Sequence, residues 1–200
     1  MPKFYAVKNG YHIGIFNTWE ECSKEVKGFS GAQYKSFTSR QEAEAFIKDT
    51  DSYSFASTDN QKNTAIAYVD GSYNIKTKEF SYGAVIFFKE QEFKLNEKFN
   101  NEEDAKMRNV AGEIYGSMRA MRFCIENNIK ELILYYDYAG IENWCTGAWK
   151  TNKPGTAAYK EYYDTVKQSV KIAFRKVKGH SGNEYNDMAD RLAKDALGIK

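Results

Sequence analysis

Residues 50–63, TDSYSFASTDNQKN, have no hydrophobic period and consist mostly of Ser, Thr, Asp and Asn. A stretch of that kind contributes nothing to a packed interior, so it divides the chain into a short and a long part that must each bury their own apolar faces. The composition predicts a small domain over 1–49, a flexible linker over 50–63 and a larger domain over 64–200. A flexible linker of that length spans roughly 20 Å on average, about 5–6 Å times the square root of its length. Two domains so joined can sit on neighbouring stretches of one long ligand.

In the short part, Phe4-Tyr5-Ala6-Val7 and His12–Phe16 read as strands. Asn9-Gly10 between them is a strong tight-hairpin signal, because both residues tolerate positive φ. Thr18-Trp19-Glu20-Glu21 has the capping-box form and opens a helix that runs to Lys27 and stops at Gly28. A strand over Gln33–Phe37 and a second helix, opened by Ser39 with Glu42, complete a ββαβα order too small for much core of its own.

The long part has larger elements. Strands are predicted over Ala65–Val69, Phe80–Phe88, Glu92–Phe99, Leu132–Tyr136 and Lys171–Val177. Helices are predicted over about 104–128, a short stretch ending near Cys145, 157–169 and 183–197. In the first of these, Ala111, Ile114, Met118, Met121 and Ile125 recur every three or four residues as one apolar stripe. Three consecutive strands followed by alternating helices and strands predict an α/β fold with a mixed five-stranded sheet flanked by helices.

Lys plus Arg total 29 against 27 Asp plus Glu, a net charge of +2. The overall field of such a chain does not drive it onto a polyanion, so any nucleic-acid binding must come from local patches and geometry. Cys22, Cys124 and Cys145 are sparse and odd in number, which argues against a disulfide framework and a Cys-ligated zinc. With no 18-residue apolar run anywhere, the expectation is a soluble, cytoplasmic chain with no membrane partner.

Asp70 follows the first strand of the larger part directly, and Asp137 follows the fourth. Glu113 and Asp190 lie in predicted helices, with Asn109 and Asn186 four residues before them on the same faces. One acid among 27 is more often a solvated surface charge, and Asp70 before Gly71 could be a turn former. As a set they read differently. Carboxylates converging to ~4–6 Å repel by about 3–4 kcal/mol per pair at an effective dielectric of 20, so a cluster of them needs protons or cations. Hard oxygens without Cys select Mg²⁺ or Mn²⁺. Two such ions ~3.5–4 Å apart can activate water and stabilise a leaving oxygen in phosphodiester cleavage. His180, in the glycine-flanked Lys178-Gly179-His180-Ser181-Gly182, suits a mobile proton shuttle, though it reads equally as a surface histidine, the reading given to His12.

AYVDGSY, the NVAGE segment, LILYYDY and VKGHSGNEYNDMADRLA resemble the motifs of type 1 ribonuclease H, and FYAVKNGYHIGIFNTWEECSKEVKGFSGAQYKSF resembles that family's hybrid-binding, viroplasmin-like domain. The resemblance covers nearly everything except the linker, and both halves in this order are far more specific than any one motif. It implies a ribonuclease H-like fold and Asp70, Glu113, Asp137 and Asp190 as ligands of two Mg²⁺, with Mn²⁺ a possible substitute. It further implies that His180 assists proton transfer and product release, and that Asn109, Asn186, Gly71 and Ser72 serve the substrate. In the small domain Tyr5, Trp19, Lys35 and Phe37 match the contact surface, with the Trp19 indole and Lys35 approaching the DNA backbone and amides of the Gly28–Ala32 loop approaching RNA 2′-hydroxyls, the group that marks RNA.

The departures are local. Val110-Ala111-Gly112 follows Asn109 where many members have a second Asn, and Tyr138-Ala139 replaces the more usual Ser-Gln. Trp144 follows Asp137 by seven positions, too few for the helix that leads into the basic handle of some members. Lys150, Lys153 and Lys160 are a thin substitute, so much of the gripping falls to the small domain. The implied activity is two-metal endonucleolytic hydrolysis of the RNA strand of RNA–DNA hybrids by a monomer, leaving 5′-phosphate and 3′-hydroxyl ends. The rival is a non-catalytic binder of hybrid or double-stranded RNA, against which the four acids weigh. A DNA-cutting relative of the transposases and integrases is less consistent with the hybrid-binding half.

Overall fold

The computed structural model describes residues 3–29, 32–48, 63–179 and 183–199. Within them the chain forms two compact units, one holding the elements before residue 49 and the other those after 62. The linker reading of 50–63 falls, except for Asn63, outside the described residues.

The first unit contains β1 (Phe4–Asn9), β2 (Gly14–Phe16), α1 (Trp19–Val26), β3 (Gln33–Phe37) and α2 (Arg40–Lys48). Its sheet has the order β2-β1-β3, antiparallel throughout. The capping box of α1 forms as expected: Glu21 N–H donates to Thr18 Oγ1, and Thr18 N–H donates to the Glu21 carboxylate, both at 3.3 Å. α1 then buries Cys22 and Val26 against Val7. The expected two-residue turn at Asn9-Gly10 does not form. β1 continues to Asn9, which pairs with Gln33 of β3, while Val7 faces Gly14 across a wider loop. Tyr11 N–H donates to Glu25 O at 2.8 Å, so the loop is tied to the end of α1 instead of closing on itself.

The second unit contains β4 (Thr64–Tyr73), β5 (Phe80–Phe88), β6 (Gln91–Phe99), α3 (Glu102–Ala105), α4 (Asn109–Glu126), β7 (Glu131–Tyr136), α5 (Gly140–Thr146), α6 (Pro154–Val166), β8 (Lys171–Lys176) and α7 (Glu184–Ala196). The sheet order is β6-β5-β4-β7-β8, with the first two pairings antiparallel and the last two parallel. Side chains alternate across β4, as a strand buried on both faces requires. Ala65, Ala67 and Val69 pack with Ile114 and Met121 of α4 and Tyr159 of α6. Ile66 and Tyr68 pack with Val85 and with Ala189 of α7. Helices therefore cover both faces, as the element order predicts. None of the described helices is long and apolar enough to cross a membrane.

Two boundaries differ from expectation in ways that shape the site. β4 does not stop before Asp70: pairing with β5 carries it to Tyr73, with Asp70 opposite Gly83 and Gly71 opposite Tyr82. The single helix expected over 104–128 is broken. α3 ends at Ala105, Arg108 takes φ 55° and ψ −131°, and α4 starts afresh at Asn109. Tyr115 Oη donates to Asp104 Oδ2 at 2.8 Å and braces the two helices across the break. Of the predicted stripe, Ile125 in the last turn is 44% exposed and does not join the core.

The three cysteines are buried and unpaired, and burial pushes the thiols of Cys124 and Cys145 up to about 12. They pack as small hydrophobes.

Candidate active site

Backbone contact between glycines brings the acids together. A Cβ on Gly112 of α4 would stand 2.8 Å from Gly71 Cα, and a Cβ on Gly71 would stand 2.5 Å from Glu113 N. Only hydrogen fits at that crossing. Asp70 and Glu113 each adjoin one of these glycines, so the crossing sets them side by side. Gly83, opposite Asp70, has the same role toward α7: a Cβ there would stand 2.7 Å from Ala193 N. Ser81 Oγ donates to Ala193 O at 2.6 Å and Asn96 Nδ2 to Leu192 O at 2.9 Å, fixing the helix that carries Asp190.

Carboxylate oxygens of Asp70, Glu113 and Asp137 lie within 4.8 Å of one another. At that spacing each pair of charges repels by about 3–4 kcal/mol at an effective dielectric of 20. Glu113 is 2% exposed, and its Oε2 has no hydrogen-bond partner among the described residues. Burial, then the charges of Asp137 and Asp70, push its carboxyl up to about 9 against one favourable bond from Tyr138 N–H. Asp70 accepts from Gly71 N–H at 2.7 Å, yet burial and the charge of Asp137 raise it to about 7. Three converging hard oxygen donors, one of them buried without a partner, suit a hard divalent cation. A buried carboxylate cluster without protons or cations would be self-repelling.

The other predicted residues are distributed as follows. Asp190 is close enough to raise the Asp70 carboxyl, but its Oδ2 accepts from Lys194 Nζ at 2.6 Å and it is not one of the three clustered acids. His180 lies outside the described residues, although the backbone of Gly179 runs against the Asp137 carboxylate: a Cβ there would stand 2.5 Å from its Oδ2. Asn109 is exposed at the first turn of α4, whereas Ser72 and Asn186 are buried.

In the first unit Trp19 is 48% exposed, its ring 5.8 Å from that of Tyr5 and 5.5 Å from that of Tyr34. Lys35 Nζ stands 5.5 Å over the Phe37 ring. Two residues of these surfaces escape the sequence reading. Tyr34 pairs across from Val7 and so shares the face of Tyr5, a placement that only the β1–β3 register reveals, whereas Lys194 follows Asp190 by one helical turn, a spacing available as a signal.

The raised carboxyls have a consequence for stability. With a chelator present, folded Asp70 and Glu113 keep protons that the unfolded chain has released above about pH 4. The folded state then binds more protons, so stability falls as pH rises from about 4 through 7 and toward 9. The midpoint of thermal unfolding in EDTA is expected to drop by about 5 °C or more between pH 5 and pH 8.5. Millimolar Mg²⁺ at pH 8.5 restores it. A midpoint in EDTA that does not move with pH would contradict the buried cluster.

Comparisons with known proteins agree with this architecture. The RNase H family model matches residues 62–198, and the model described as the ribonuclease H1 N-terminal domain matches residues 3–47. Ribonuclease H1 of Mus musculus is 24% identical over 253 aligned positions, covering 96% of this chain and 88% of its own length. RNase H1 from the halophilic archaeon Halobacterium salinarum shares the fold with a TM-score of 0.57 at 20% identity, over 68% of this chain and 98% of the archaeal one. LC11-RNase H1, solved in complex with RNA/DNA hybrid, does so with a TM-score of 0.53 at 14% identity, over 66% of this chain and 99% of its own. With the carboxylates converging where β4, α4 and the end of β7 meet, and the family's model spanning that whole unit, the chain belongs to the RNase H family.

Proposed function

We propose that this ribonuclease H cuts the RNA strand of RNA–DNA hybrids endonucleolytically, using two Mg²⁺ and leaving 5′-phosphate and 3′-hydroxyl ends, with Mn²⁺ as a substitute. The observation that carries this reading is the three-carboxylate convergence around the buried, unpartnered Glu113 oxygen. Asp70, Glu113 and Asp137 hold the cations and Asp190 completes the set. Bound cations supply Lewis-acid stabilisation and a nucleophile at neutral pH. The exposed Asn109 amide and the backbone at Gly71-Ser72 recognise RNA through 2′-hydroxyls. His180 follows Gly179, whose backbone touches Asp137, which suits a proton-transfer role near the reacting phosphate. The reading includes a monomer working in the cytoplasm.

The relative LC11-RNase H1, solved with RNA/DNA hybrid, supports the substrate class. In the small unit, half-exposed Trp19 between Tyr5 and Tyr34 offers apolar faces to a nucleic-acid backbone, and Lys35 with Phe37 offers a cation and a ring on the other face of the same sheet. One assay tests the proposal. Hybrid, duplex RNA, duplex DNA and single-stranded RNA, each end-labelled, are incubated with the protein and Mg²⁺ or with EDTA. Cleavage confined to the RNA strand of hybrid and abolished by EDTA is expected. Binding of hybrid without cleavage would reduce the protein to a binder, and cleavage of duplex DNA would change its substrate class.

The two units divide the labour. Removing residues 1–49 is expected to raise KM on long hybrids roughly ten-fold by removing one of two tethered contacts. kcat on saturating short hybrids stays within about two-fold, because the chemistry belongs to the second unit. Loss of kcat on those short hybrids would refute the division.

A further inference from the structure

Asp190 and Lys194 are one turn apart on α7, and their side chains meet at 2.6 Å, with side-chain exposures of 18% and 39%. The helix beneath them is fixed by the Ser81 and Asn96 hydrogen bonds and by backbone contact at Gly83. The pair cannot shift by sliding α7; only the lysine stem, with its freely rotating methylenes, can leave. Both side chains also act through space on Asp70, Asp190 raising its carboxyl and Lys194 lowering it, so the pair is within electrostatic reach of the cluster. A divalent ion bound by Asp190 would need the same oxygen lone pairs at about 2.0–2.1 Å and would repel the ammonium already there.

We propose that Lys194 is a built-in counter-cation for Asp190 that a divalent ion must displace. The proposal rests on the reading of Asp190 as a cation ligand. It makes the two ion positions unequal in the absence of nucleic acid. The corner formed by Asp70, Glu113 and Asp137 offers three converging carboxylates, with the unpartnered Glu113 Oε2 among them, and takes the first ion. The Asp190 corner fills second, at the higher ion concentration needed to expel the lysine. Lys194 is in this sense a positioning residue: it holds Asp190 in place while the corner is empty and sets the ion concentration at which the site is completed.

The test uses the whole chain without nucleic acid, titrated calorimetrically with MgCl₂ alone, for wild type, Lys194→Met, Lys194→Arg and Asp190→Asn. Lys194→Met is expected to tighten the weaker binding step about five-fold, the size of a partly exposed ion pair no longer competing. Lys194→Arg keeps a cation and behaves like wild type. Asp190→Asn removes the weaker step. A single step in wild type that becomes two in Lys194→Met is the same outcome carried further. An unchanged or weakened second step in Lys194→Met, alongside its loss in Asp190→Asn, overturns the counter-cation and leaves the ligand reading intact. Two full steps surviving in Asp190→Asn overturn the ligand reading and the proposal with it. Cooperative unfolding in EDTA of Lys194→Met and Asp190→Asn, well above the titration temperature, excludes a folding defect as the source of the differences.

Discussion

Asp137→Asn is expected to lower hybrid cleavage by about 10³-fold or more, since losing one anionic bridge removes several kcal/mol of cation-borne transition-state stabilisation. The amide keeps the shape of the carboxylate but offers one neutral oxygen, so the fold and the hybrid-binding surfaces persist. Binding of hybrid, measured by fluorescence anisotropy in Ca²⁺, should stay within about three-fold of wild type if the proposed contact residues of the small unit and Asn109 supply most of the grip. The same substitution should stabilise the chelated protein. Beyond the effect of burial, the charge of Asp137 does more than that of any other neighbour to raise both Asp70 and Glu113. Removing it relieves both repulsions, and the thermal midpoint in EDTA at pH 8.5 should rise while activity disappears. Equal cleavage by both proteins would remove Asp137 from the site. Loss of activity together with a lower midpoint in EDTA would mean that Asp137 has a structural role instead.

Gly112→Ala should be far more damaging than its chemistry suggests. Its Cβ would overlap the Ser81 carbonyl oxygen and stand 2.8 Å from Gly71 Cα, so α4 must move off β4. Overpacking of backbone on backbone costs about 3 kcal/mol, which lowers the midpoint of a chain this size by roughly 6–12 °C. Because Glu113 is the next residue, activity should fall with stability. Gly116→Ala on the same helix is the matched control. It gains the same helix propensity, about 1 kcal/mol. Its Cβ meets only the side-chain carbons of Tyr82 and Val69, at 3.1 and 3.3 Å. A near-neutral effect is expected there. Equal losses at Gly112 and Gly116 would show that helical glycine itself, and not the crossing at Gly71, is what matters.

The contrast between those glycines also shows what a sequence discloses. The capping box at Thr18 and Glu21 and the succession of strands and helices along the chain could be read directly, because local hydrogen bonding and hydrophobic period decide them. The pairing of Asp70 with Gly83 could not be read from an apolar run that ends at Val69, because the continuation of β4 is decided by β5. The break before Asn109 was invisible for a similar reason: Arg108 has no propensity for positive φ, and the burial of Ala105 and Met107 together with the Tyr115–Asp104 bond imposes it. The tight turn at Asn9-Gly10 failed because a distant carbonyl, Glu25 O, offered Tyr11 N–H a better partner. Of the candidate acids, the three that cluster come from a strand, a helix and a strand end that the period places correctly. The Asp190–Lys194 pairing is a side-chain choice among several that one turn of helix allows.

The glycine crossings at Gly71–Gly112 and at Gly83 have a consequence for how such a chain can diverge. The carboxylates owe their positions to main chain touching main chain, not to the sizes of the side chains around them. Exchanges among Val, Ile, Leu and Met in the two hydrophobic layers can therefore repack without re-aiming a single ligand. A catalytic centre placed in this manner is insulated from drift in its own core. That is a physical reason why a relative sharing only 24% of its residues can still be aligned over 96% of this chain.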